Sequence, residues 1–193
     1  RRQRQMCIRD RELSLENLHT YDGKRVDKII ALEQSVDRYE DALGTYLVKL
    51  NNCDLSQNDS RTLSILLHCI GNFERISDHA VNITDSLTEM KEKDLHFSKK
   101  ALEEMEVFSR ALKDIVEATC TAFVEADLGK ARCIEPFEQA IDGLSIQLKQ
   151  RHVHRLRKGK CTIELGLILE DIITNYERIS DHCSNIAVCM IRV

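Results

Sequence analysis

The sequence predicts an all-α protein built from a three-helix unit that occurs twice, with the first helix of the first copy truncated. Three observations carry that expectation. The 193 residues include only 7 Gly and a single Pro, while Leu, Ile, Glu, Lys and Asp are common, a composition that favours helices. Apolar residues recur at three- and four-residue spacing along most of the chain. The chain also repeats itself: "NFERISDHAVNI", Asn72 to Ile83, returns as "NYERISDHCSNI", Asn175 to Ile186, with nine of twelve positions identical.

The duplication extends beyond that motif. A shift of 103 residues superposes the two copies of it, and a shift of 105 places "YDGKRVDKIIALEQSVD" (Tyr21 to Asp37) on "ADLGKARCIEPFEQAID" (Ala126 to Asp142). Near-equal offsets mean that the whole unit is copied, with a two-residue difference in one loop.

Taken in chain order, Arg1 to Arg11 is expected to be a cloning or library scar. "MCIRDR" (Met6 to Arg11) matches one translated frame of a common transposase-end sequencing adapter, with an ordinary basic tail as the alternative. A helix remnant of about ten residues starts at Glu12, whose counterpart in the second copy is Glu117. The counterpart of Ser98 to Val116 would then lie upstream of the present start. Helices are expected near 24–50, 59–89, 99–126, 128–156 and 162–192. The first of these rests on Val26, Ile29, Ile30, Val36, Leu43, Leu47 and Leu50. Breaks fall at Asp22-Gly23, Asn51 to Ser60, His96-Phe97-Ser98, Asp127 and Arg157 to Lys160, and Asp22, Ser98, Asp127 and Thr162 suit N-caps. Pro136 lies inside the helix expected at 128–156 and should kink it, either aiming Glu138 or bending an exposed side. Residues 12–96 form the first unit and 97–193 the second.

Composition excludes several function classes. A net charge of -4 argues against nucleic acid as the main partner. The longest apolar run without a formal charge, Thr62 to Phe73, is far short of the roughly 20 residues of a spanning helix. The eight cysteines include no CxxC pair and several sit at helical spacing among apolar residues, which points to structural thiols in a reducing cytosol. No Gly-rich phosphate loop, nucleophile elbow or triad signature appears. Glu-x-x-His, needed on two helices by di-iron oxidases of ferritin type, occurs only at Glu16/His19, and its repeat counterparts are Thr121 and Val124. An enzyme is therefore not expected.

The informative polar pattern is E-x-x-x-D. Residues at i and i+4 share a helix face, and each copy holds two such pairs: Glu33/Asp37 with Glu74/Asp78, then Glu138/Asp142 with Glu177/Asp181. Like charges so placed repel, and four on facing helices need a counter-charge. Dense oxygen donors among apolar neighbours suit hard cations: Mg²⁺, Mn²⁺ or iron. The alternative is a solvated face on which Arg75 and Arg178 pair with the carboxylates. His79 and His182, next to the aspartates, are read as donors to the ligand carboxylates, or else as residues of the helix flank. Asn82 and Asn185 would orient ligands or cap backbone, and Ser77 and Ser180 would pack as small residues. The basic stretch "KQRHVHRLRKGK", Lys149 to Lys160, reads as cations at a helix C-terminus or as a contact for anionic headgroups or an acidic partner.

The repeated E-R-I-S-D-H with its downstream Asn-Ile, together with "EPFEQAID" and "LEQSVD", resembles the PhoU family over nearly everything from Glu12 onward. The segment "KGKCTIELGLILEDIITNYERISDHCSNIAV" is particularly similar to the cytoplasmic PhoU-like domain of bacterial sodium–phosphate cotransporters. The resemblance implies two tandem three-helix bundles, each with a multinuclear metal site of iron or divalent Mn or Mg. It places the ligands at Glu33, Asp37, Glu74 and Asp78, and at Glu138, Asp142, Glu177 and Asp181. It further implies a regulatory role in phosphate uptake at the cytoplasmic face of the plasma membrane. A membrane transporter domain of the same parent chain is the expected partner, and inorganic phosphate at the metal sites and a homo-oligomer are left open. A free-standing PhoU-type regulator is the alternative, and a metal-free helical interaction bundle is the second.

Overall fold

The computed structural model describes residues 21–192, and every described element is helical. The elements are α1 (Gly23–Asn51), α2 (Gln57–Glu92), α3 (Lys99–Glu125), the single turn α4 (Leu128–Ala131), α5 (Ile134–Arg157) and α6 (Ile163–Arg192). The expected tail at 1–11, the helix remnant from Glu12 and the Glu16/His19 pair lie outside the described residues.

The helices begin where short polar side chains can satisfy the free amides of a first turn. Asp22 accepts from the amide of Lys24 at 3.0 Å, Ser98 from Ala101 at 3.3 Å and Thr162 from Leu165 at 3.2 Å. Asp127 accepts from both Gly129 and Lys130, at 2.9 and 3.1 Å. Ser56 caps α2 through the amide of Asp59, which starts that helix at Gln57, before the expected 59. The α5–α6 turn runs through Gly159 at φ +64°, a left-handed conformation that glycine adopts without steric cost.

The helix expected at 128–156 is in fact two. Chain leaves helical pairing after Ala131 and re-enters at Ile134, so Pro136 occupies the first turn of α5 and not a helix interior. In a first turn the missing proline N–H has no carbonyl to serve, and the break removes the clash with the fourth residue back. Pro136 therefore sets a start and makes no kink. It fixes α5 two residues ahead of Glu138.

Packing follows the duplication. α1 lies on α2; α5 and α3 lie on α6, and α5 also packs on α3. The most extensive helix contact is α2 against α6, which joins the two copies along their motif helices. A large core runs through this seam: Phe73, Ile76, Ile83 and Leu87 of α2, and Ile173, Tyr176, Ile179 and Ile186 of α6, are all buried. Tyr176 is fully buried with its hydroxyl 2.9 Å from Ser109 Oγ of α3, and Phe108 meets its ring edge-on at 5.1 Å. Its repeat counterpart Phe73 meets Phe123 of α3 in the same manner at 5.1 Å. A smaller cluster of Leu47, Leu63 and Ile70, with Leu43, Leu66 and Leu67 against it, holds the far end of the α1–α2 pair. α5 and α6 approach closely at Gly166, where an added methyl would sit 2.5 Å from His152 Nε2. Cys69, Cys120 and Cys183 are buried as core residues. Burial, and contact with Cys189 across the seam, push the Cys69 thiol up to about 12.

Candidate metal centres

Each motif helix carries a carboxylate face and an Asn–His face. The carboxylates of Glu74 and Asp78 turn toward α1, and those of Glu177 and Asp181 toward α5, where the partner pairs wait.

In the first copy, Glu33, Asp37 and Asp78 bring ligand oxygens all within 4.8 Å of one another, the one such trio of His, Cys, Asp or Glu among the described residues. Asp37 is exposed, whereas Glu33, Glu74 and Asp78 are half-buried. Burial raises the Glu33 carboxyl above the usual range, and Asp37 and Asp78 raise it further. Glu74 is pushed up to about 7, first by burial, then by a hydrogen bond to Asp78 and the charges of Asp78 and Asp37, with Arg75 opposing. Arg75 Nε, 3.5 Å from Glu74, is the cation paired with it, and it is itself largely exposed. Four carboxylates converge here with little to neutralise them.

The second copy gathers the corresponding residues. Glu138 is raised by burial, by Asp142 and by Asp181; Asp181 is raised by burial, Asp142 and Glu177 against the opposing charge of Arg178. Glu138 and Asp142 of α5 are thus near enough to Asp181 of α6 for their charges to be felt. Glu177 is differently held: Ser145 Oγ donates to it at 2.6 Å and Lys149 Nζ at 3.0 Å. Lys149 also reaches Glu170 at 3.1 Å, and Arg178 lies 3.4 Å from Asp181. Oxygen donors short of counter-charge are the donor set hard cations take, so both quartets fit a metal of that class, the first more openly than the second.

The motif histidines and asparagines do something the sequence reading did not foresee. Asn72 and His79 are seven residues apart, two helical turns, and so share a face; Asn175 and His182 repeat the arrangement. His79 Nδ1 lies 2.8 Å from Asn175 Oδ1, and His182 Nδ1 lies 3.0 Å from Asn72 Oδ1. The amide NH₂ groups are committed elsewhere, Asn72 to the carbonyl of His68 at 2.7 Å and Asn175 to that of Asp171 at 2.8 Å. Each Oδ1 therefore accepts, and each histidine donates from Nδ1. The two imidazoles stack between the bonds, centroids 5.5 Å apart. Burial, with His79, Arg75 and Arg178, lowers His182 to about 4, so its ring is neutral. These histidines thus join α2 to α6 through Nδ1 instead of donating it to the motif carboxylates. Asn82 supports the joint, donating to Asn175 Oδ1 at 3.4 Å. Ser77 and Ser180 are buried in the seam, as small packing residues should be. The repeated seven-residue Asn-to-His spacing was the available signal.

The basic stretch is partly consumed by ion pairs. Lys149 serves Glu177 and Glu170, while Arg155 and Arg151 reach Glu104 of α3 at 2.6 and 3.5 Å. Among the described residues, no helix is long and apolar enough to cross a membrane.

A tandem helical repeat with a carboxylate quartet between the helices of each copy is the class that fold and site define. The chain belongs to the PhoU domain family, whose model matches residues 3–87 and again 105–190, once per repeat. It is 27% identical over 177 residues to the phosphate-specific transport system accessory protein PhoU homolog 1 of Thermotoga maritima, spanning 90% of this chain and 74% of that protein. Among solved structures it is similar to PhoU from Pseudomonas aeruginosa, with a TM-score of 0.90 at 17% identity, over 98% of this chain and 90% of that one. It is likewise similar to the phosphate transport system regulatory protein PhoU from Streptococcus pneumoniae, with a TM-score of 0.86 at 19% identity, over 98% and 88%. At those identities the structural likeness speaks for the fold.

Proposed function

We propose that the chain is a non-enzymatic regulator of phosphate transport that holds hard metal cations between its helices and acts on a membrane transporter. The observation that carries the metal reading is the first quartet: Glu33, Asp37 and Asp78 within 4.8 Å, and Glu74 raised to about 7 beside them. Glu33, Asp37, Glu74 and Asp78 would hold one metal group, and Glu138, Asp142, Glu177 and Asp181 the other, as iron, manganese or magnesium. A cation bound there supplies the counter-charge the carboxylates lack, tying α1 to α2 and α5 to α6.

The transport role is supported by family membership and by the Thermotoga relative, named as an accessory protein of a phosphate-specific transport system. That relative supports a free-standing regulator ahead of a domain attached to a sodium–phosphate cotransporter, since the match spans most of both chains. Two experiments test the proposal. Elemental mass spectrometry on protein purified without a His tag should find more than one equivalent of metal per chain, lost when Asp78→Asn and Asp181→Asn are combined. Equal stability and no metal in either protein would leave a helical interaction bundle. In cells lacking the protein, phosphate uptake should rise and fall again on complementation; unchanged uptake would remove the transport role.

A further inference from the structure

Away from both quartets, α3 and α5 enclose two adjoining clefts of about 370 and 240 Å³ that share Lys100, Glu104 and Arg151. The smaller adds Arg155 and His154; the larger is walled by Val107, Leu144 and Leu148, with Glu103 and Gln147 at its polar side. Glu104 stands where they meet. Its side chain is only 7% exposed, and Arg155, at 12%, is bonded to Glu104 Oε2 at 2.6 Å.

This pair is left half-satisfied in a specific way. Glu104 Oε1 is buried with no hydrogen-bond donor, its nearest cation being Arg151 Nη1 at 3.5 Å. Arg155 Nη2 is buried with no acceptor. Native structures seldom leave a buried donor and a buried acceptor unmatched side by side. A bare anion would answer Arg155 but meet the Glu104 charge, and a bare cation would meet Lys100, Arg151 and Arg155. One chemistry answers both: an anionic oxygen for Arg155 Nη2 with an O–H beside it for Glu104 Oε1. Three cations against one carboxylate in the smaller cleft leave an excess of positive charge suited to a phosphate, which carries roughly two negative charges at neutral pH as a monoester and about one as a diester.

We propose that the α3/α5 cleft binds a phosphate ester bearing a free aliphatic hydroxyl next to its phosphate, either a soluble polyol phosphate or the headgroup of phosphatidylglycerol. Lys100, Arg151 and Arg155 bind the phosphate, Glu104 selects the hydroxyl, and Val107, Leu144 and Leu148 line the side on which the rest of the molecule lies. The site goes beyond the metal reading and stands whether or not the quartets hold metal.

The test is calorimetric titration of the chain with glycerol 3-phosphate and with ethyl phosphate, both as dianions, beside co-sedimentation with vesicles of phosphatidylglycerol or of phosphatidylcholine. Glycerol 3-phosphate should bind about tenfold more tightly than ethyl phosphate, a monoester dianion with no hydroxyl, the worth of one charge-assisted hydrogen bond. Glu104→Gln should bring that ratio toward one, because the charged acceptor that reads the hydroxyl becomes a neutral amide while the phosphate side gains net positive charge. Lys100→Gln with His154→Gln, both exposed and clear of the buried pair, should weaken both phosphates and so reports on the site even if Glu104→Gln fails to fold. Binding of the free ester without vesicle binding identifies a soluble ligand. Sedimentation with phosphatidylglycerol alone, sensitive to Lys100→Gln and without free-ester binding, identifies the headgroup. Binding to neither would show that water completes the pair and would overturn the proposal, as would a hydroxyl preference unchanged in Glu104→Gln.

Discussion

The two carboxylate quartets have the same acids at equivalent positions and differ in what surrounds them. With the 105-residue offset, Ser145 and Lys149 of the second copy correspond to Glu40 and Gly44 of the first. In the second copy Ser145 and Lys149 both bond Glu177. In the first, glycine and a further acid stand in their places, and Glu74 rises to about 7. Duplication kept the oxygen donors and edited the counter-charge. Two sites with one ligand set can thereby differ in how strongly they call for a cation.

The sharpest way to break this comparison is to remove ligands from one side at a time. If metal is held as proposed, Asp37→Asn with Asp78→Asn should remove more bound metal, by elemental mass spectrometry, than Asp142→Asn with Asp181→Asn. The reverse order would show that Lys149 does not weaken the second site.

Next comes a transplant. Glu40→Ser with Gly44→Lys would rebuild the Lys149 arrangement on α1, and position 44 has room, the nearest atom to an added Cβ being Ile70 Cδ1 at 3.8 Å. The metal-free chain should gain stability beyond the roughly 1 kcal/mol expected from replacing a mid-helix glycine. Gly44→Ala measures that helix contribution separately, and equal Tm gains in both would sink the counter-charge account.

The pH dependence has a definite sign. Glu74 has a folded-state pKa of about 7, above its ordinary 4.5, so the fold favours its protonated form. Metal-free protein should therefore lose stability as pH rises from about 4.5 through about 7, a fall in Tm on the order of a few degrees. Glu74→Gln should flatten that slope. An unchanged slope would assign the loss to other groups.

Smallest is the joint between the copies. A double-mutant cycle on His79→Ala and Asn175→Ala should return a coupling of about 1 kcal/mol by chemical denaturation. A coupling near zero would make the seam a matter of apolar packing alone.

Most of the frame was legible because it is local. Asp22, Ser98, Asp127 and Thr162 each cap a helix as read from the sequence. The break before α5 was misplaced because Pro136 allows both a kinked interior and a first turn, and the caps on either side did not decide between them. The quartets were legible through repetition, the same spacing appearing in both copies. What escaped depends on how distant helices meet. Lys149 finds Glu177 28 residues away only through the register of α5 on α6. His79 finds Asn175 96 residues away only because α2 lies against α6. The roughly 100° that one residue turns a helix already set the histidines off the aspartate face, but not what they would meet there.

The Asn–His joint has the form of an isologous dimer interface, in which a residue meets on the partner what the partner's copy meets in return. Here both sides belong to one polypeptide. In a true homodimer any change at Asn72 would strike both bonds at once. In this chain Asn72 can change while Asn175 keeps its hold on His79. The halves are free to diverge one contact at a time, which is the freedom that Ser145 and Lys149 already display at the carboxylate quartets.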